Sequence, residues 1–111
     1  MRVAVLNRGA DHPGGDLVHI AELSRALEFY PYNVSRSHRS FPDRPVALTQ
    51  YHLAHVQHIN FDWCRPNFRA CWEAAIPYVV TCCNYDSLFG DVTWPEVVEW
   101  LNRAAAVIVY T

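Results

Sequence analysis

The feature that most constrains the fold is the opening segment, Arg2 to Leu27. Here a strand-length apolar run (Val3, Ala4, Val5, Leu6) passes into a turn-rich stretch, Asn7 to Gly15, and then into a helical pattern. Leu17, Ile20, Leu23, Ser24 and Leu27 recur at the three- and four-residue spacing of one buried face, with Asp16, His19, Glu22 and Arg25 on the other. A strand, loop and helix in this order is the usual first unit of a doubly wound parallel sheet. The loop places Gly14 and Gly15 directly before the helix, where unshielded backbone N–H groups attract anions. Gly9 to Gly14 has the G-x-x-x-x-G spacing, but Gly15 and Asp16 stand where a P-loop needs Lys and Ser/Thr, and G-x-G-x-x-G is absent. A turn that merely needs glycine is the competing explanation.

Later segments extend the α/β pattern. Tyr32 to Ser35 supplies a second strand, with Pro31 ending the helix before it. A short helix is expected within Val46 to Tyr51, and a third strand over Leu53 to Ile59. Pro66 suits a first helical turn, followed by Phe68, Cys71, Trp72 and Ala75 at helical spacing. Tyr78 to Thr81 reads as the fourth strand. Thr93 and Glu96 form a capping box before a helix with apolar face Val97, Leu101 and Ala104, and Ala106 to Tyr110 reads as the fifth strand. The expectation is one Rossmann-like domain over residues 1–111, its sheet of about five parallel strands ordered 3-2-1-4-5. Val107 to Tyr110 is apolar on both faces without the Lys, Pro or bulge that protects an edge, so a further segment is expected to follow.

Composition sets limits on the partners. With 51% hydrophobic and 18% charged residues, 111 residues suffice for one modest core. A net charge of -2 offers no general attraction for nucleic acid. The first apolar run is too short for a secretory signal, and a cytoplasmic location is expected. Arg36, Arg39 and Arg44 make one basic loop with Phe41 in it, either a solvated connection or a contact for an anionic acceptor or a peripheral membrane surface. Cys64, Cys71, Cys82 and Cys83 contain no C-x-x-C and match no zinc spacing, so reduced thiols and no metal are expected. His52, His55 and His58 do not converge on one ion, because His55 and His58 would point to opposite faces of a strand.

Ligands of such sheets bind beyond the carboxyl ends of the strands. That places Asp16, His58, Asn60, Asn84, Tyr85 and Asp86 among the candidate binding residues, with Cys83 a nucleophile candidate lacking an assignable base. The stretch R-V-A-V-L-N followed by P-G-G-D-L-V-H-I-A-E-L-S-R-A-L resembles the opening of GT-B glycosyltransferases of the family 4, or group 1, type. L-A-H-V-Q-H-I-N, I-P-Y-V-V-T and L-N-R-A-A-A-V-I-V-Y-T resemble later strands of the same domain in register. The resemblance implies the N-terminal, acceptor-side domain of a metal-independent, retaining enzyme. Such an enzyme moves a sugar from a nucleotide-sugar to a sugar or lipid-linked acceptor, and its donor-binding domain lies outside this chain. It would bring Gly14 and Gly15 near the donor phosphates or sugar. The family's loop after the fourth strand often carries His then Asp; Cys83 stands at the His position, which leaves the catalytic group unassigned. On this basis the isolated chain should not turn over substrate. The alternative is a stand-alone, non-catalytic α/β ligand-binding module of the receiver or flavodoxin-like kind; Asn7 and Arg8 in place of an acidic pair weaken the receiver version.

Overall fold

A computed structural model describes residues 2–6, 48–82 and 87–109, together with the backbone path of 28–32. Five strands, β1 (Arg2–Leu6), β2 (Glu28–Tyr32), β3 (Leu53–Gln57), β4 (Tyr78–Cys82) and β5 (Ala106–Val109), form one parallel sheet. Two helices, α1 (Arg65–Ala74) and α2 (Trp94–Asn102), connect β3 to β4 and β4 to β5. The predicted first helix, Asp16 to Leu27, lies outside the described residues.

The strand order is β2-β1-β3-β4-β5, which corrects the predicted 3-2-1-4-5. Two side-chain properties explain the difference. Ala54, His55, Val56 and Gln57 are all buried, so β3 is covered on both faces and belongs inside the sheet. Pro31 lies within β2, paired beside Val5, and a residue without an N–H is tolerated at a sheet edge. The second strand also begins earlier than the expected Tyr32 to Ser35: the chain is extended from Glu28, and Pro31 sits in the strand instead of stopping a helix. This order is that of flavodoxin-like sheets. It is equally what remains of 3-2-1-4-5-6 when the outermost strand is deleted and the others are renumbered.

Register divides the sheet into two faces. Ala4, Ala54 and Tyr78 align, as do Leu6, Val56 and Val80, and these face the helices. Against them pack Phe68 and Cys71 of α1 and Val97 and Trp100 of α2. Phe68 lies flat on Trp100, ring centroids 4.5 Å apart, and meets Tyr78 edge-on at 5.6 Å. The Tyr78 hydroxyl donates to the Trp100 carbonyl at 2.5 Å and accepts from Trp72 Nε1 at 3.1 Å, so its polar end is satisfied inside the core. Burying rings of this size contributes on the order of 2–3 kcal/mol each. The opposite face carries Val3, Val5, His55, Gln57 and Thr81, also buried, with the His55 imidazole hydrogen-bonded to the Thr81 hydroxyl.

The helix boundaries follow local chemistry. α1 begins with Pro66 in its first turn and ends at Ala75, whose φ of 54° breaks the right-handed path before Pro77. Thr93 is the N-cap of α2 but its side chain makes no capping bond. Glu96 makes the other half of the expected capping box, accepting from the Thr93 backbone N–H, and is also gripped by Arg65 of α1 through both carboxylate oxygens, Nη2 to Oε2 being 3.0 Å. This ion pair ties the two helices together. The expected short helix before β3 is a single 3-10 turn, Leu48–Gln50.

Candidate functional site

All five strands are parallel, so their carboxyl ends share one edge of the sheet. The crossover that reverses strand order lies between β1 and β3, and ligands of open α/β sheets settle at such a point. The residues that follow β3 are built unusually. His58 has φ 77°, a left-handed conformation that costs a side-chain-bearing residue free energy and that clusters at functional positions. This turn ends β3 at Gln57, two residues earlier than expected, while the His58 N–H donates to the Thr81 carbonyl at 3.1 Å.

Beyond His58 the chain forms an aromatic stack. Phe61 stacks near-parallel on Trp63 at 5.2 Å and on Phe89 at 5.1 Å. His58 meets Trp63 and Phe61 edge-on at 5.7 and 6.0 Å. Phe89 is 46% exposed, so the stack presents a ring to solvent. Its backbone is fixed to the β3 end: the Phe89 N–H donates to the Asn60 carbonyl at 2.8 Å, and Phe61 and Phe89 form an isolated parallel bridge. Gly90 completes the fit, with φ +78°; a Cβ there would stand 2.4 Å from the Asp62 carboxylate.

Next to the stack, polar atoms are shut from water without partners. Asn60 is fully buried, yet neither its Oδ1 nor its Nδ2 makes a hydrogen bond, and Gln57 Oε1 at the end of β3 is in the same condition. Native interiors rarely leave such groups unmatched, and when they do the site is commonly one that meets water or a ligand. A groove of about 340 Å³ starts at Asp62 and runs along α1, lined by Arg65, Pro66, Arg69, Ala70 and Glu73. Arg65 is held there by Asp91 at 3.0 Å and by Glu96. The hydrogen bonds that Arg65 donates, to Glu96 first and then to Asp91, push its pKa up, and the Glu96 carboxyl is held below its ordinary range by the same contact. That guanidinium is committed to the helix pair.

His58 and Asn60, both named from the sequence, thus meet at the crossover. Phe61 and Trp63 follow directly on these two, but nothing in the sequence marks them as a surface, and Phe89, 28 positions beyond Phe61, gives no periodic signal for such a stack. Gly14, Gly15, Asp16, Cys83, Asn84, Tyr85, Asp86 and the arginines 36, 39 and 44 lie outside the described residues. His52 accepts from the Arg2 backbone N–H at 2.8 Å, a structural role. Among the described residues no three His, Cys, Asp or Glu side chains stand together as a metal would require. Cys64, Cys71 and Cys82 are buried, and burial pushes the thiols of Cys64 and Cys71 up to about 12, which leaves these two unreactive. No helix among the described residues is long and apolar enough to cross a membrane. No protein-family model, curated protein or solved structure matches the chain.

Proposed function

We propose that this chain is the acceptor-side half of a retaining, metal-independent glycosyltransferase, receiving the acceptor sugar at the carboxyl edge of its sheet. The observation that carries the reading is the half-exposed aromatic stack beside the unpartnered Asn60 amide, at the β1–β3 crossover. A pyranose has an apolar C–H face and a polar rim. Aromatic rings match the first and a buried amide, which both donates and accepts, matches the second. By the resemblance Gly14 and Gly15 would approach the donor, and the strand-end candidates Asp16, Asn84, Tyr85 and Asp86 would border the acceptor. Stabilising the leaving diphosphate needs backbone N–H groups and cations. Gly14 and Gly15 would offer N–H groups, and the cations would come from a second, donor-binding domain.

The strand order fits one other reading equally well, a stand-alone flavodoxin-like ligand-binding module. Calorimetric titration separates the two. The half-enzyme reading expects saturable binding of methyl β-D-glucopyranoside in the millimolar range, the weak end of small-ligand affinity, with no release of UDP from UDP-glucose. Saturable flavin binding, or turnover of UDP-glucose by the isolated chain, contradicts it.

A further inference from the structure

The carboxyl-edge site carries one charge that a neutral sugar would not use. Asp62 stands between Phe61 and Trp63 in the chain and is exposed. Its backbone is fixed by a single 3-10 turn, Asp62–Cys64: the Cys64 N–H donates to the Phe61 carbonyl at 3.0 Å, and the Arg65 N–H donates to the Asp62 carbonyl. Gly90, next to Phe89, has no side chain, and the Asp62 carboxylate fills the space that a Cβ there would need. Phe61 stacks on Phe89 across the same join. The carboxylate is therefore held beside the half-exposed Phe89 ring, at the start of the groove along α1.

Nothing described nearby neutralises it. Among the described residues the Asp62 carboxylate makes no hydrogen bond or ion pair. Arg65 lines the same groove but is taken by Asp91 and Glu96, two carboxylates to one guanidinium. Farther along, Arg69 is offset by Glu73, which lies about two turns of α1 beyond Arg65 and so away from the stack. Carboxylates thus outnumber guanidiniums among the described groove residues and their ion-pair partners, a surface that repels anions and attracts cations. The exposed ring adds to the same preference, because an aromatic face draws positive charge.

Resting on the reading of this edge as a sugar site, we infer that the ring it prefers is a protonated amino sugar, its C–H face on Phe89 and its ammonium at the Asp62 carboxylate. An ammonium brings three N–H donors and a full charge to an acceptor that has neither partner nor counter-ion. A metal ion fits less well, since it needs several ligands and no three such side chains gather among the described residues. Sugars bearing a carboxylate or phosphate are disfavoured by the same charge.

Calorimetric titration at pH 6, where carboxylates are ionised and amines protonated, tests this with four probes. They are methyl β-D-glucopyranoside, its 2-amino-2-deoxy and 6-amino-6-deoxy analogues, and its 6-carboxylate. At least one amine is expected to bind about three- to fivefold more tightly than the neutral glycoside, the yield of one partly exposed ion pair, and the carboxylate more weakly. In Asp62→Asn, and in the parent chain at about 0.5 M salt, the ratio of amine to neutral affinity should fall to about one. A neutral glycoside that binds as tightly as both amines, or a preference that persists under either condition, overturns the inference and leaves the sugar site standing. Failure of all four probes to bind overturns the sugar site itself, and the amine preference with it.

Discussion

An asparagine enclosed by the fold with neither end of its amide satisfied costs about 1–3 kcal/mol, and Asn60 is such a residue. If the amide exists to meet a ligand, removing it should relieve the fold and harm binding. Asn60→Leu is therefore expected to leave the urea midpoint unchanged or higher while sugar affinity falls at least fivefold. Loss of about 2 kcal/mol or more of stability would instead mark the amide as structural. His58 and Asn60 were legible from the sequence because a strand's end can be read from where its apolar run stops. The left-handed turn at His58 was not legible, since it arises from closure onto Thr81 across the sheet. Trp100 shows the same limit. It lies three residues after Val97, yet only the packing of Phe68 reveals it as the centre of the core.

Among the elements, α1 and α2 were readable as helices from their spacing and their early prolines, whereas the joint between them was not. The sequence pairs Glu96 with Thr93 as a capping box, and Glu96 does accept from the Thr93 backbone N–H; the fold also brings Arg65 from 31 positions away onto the carboxylate. This has a pH signature. Arg65 lowers the Glu96 pKa below its ordinary 4.5, so the contribution is complete above that value and is lost as pH falls through the lowered one. Urea unfolding at pH 6 and pH 3 should show the parent chain losing about 0.5–1 kcal/mol more than Glu96→Gln over that interval. Equal losses would mean the ion pair does not support the helix pair. Strand order was the element-level error, and its cause is instructive. Periodicity locates strands, but their neighbours are set by which can be buried twice, as β3 is, and which can spare an N–H, as β2 can at Pro31.

At the scale of the whole molecule, the α/β class and the all-parallel sheet were written in the alternation of strand and helix patterns, and the structure carries both. The carboxyl edge then gathers what the chain spreads over more than 30 residues: a strained histidine, a buried amide and three stacked rings. The central claim is that this edge holds a sugar ring. Nuclear magnetic resonance of the ¹⁵N-labelled chain titrated with methyl β-D-glucopyranoside tests it most directly. Saturable amide shifts concentrated at residues 58–63 and 88–90 are expected, abolished by Phe89→Ala in a chain that otherwise keeps its spectrum. Shifts centred elsewhere, or saturable binding that survives the loss of Phe89, would contradict it.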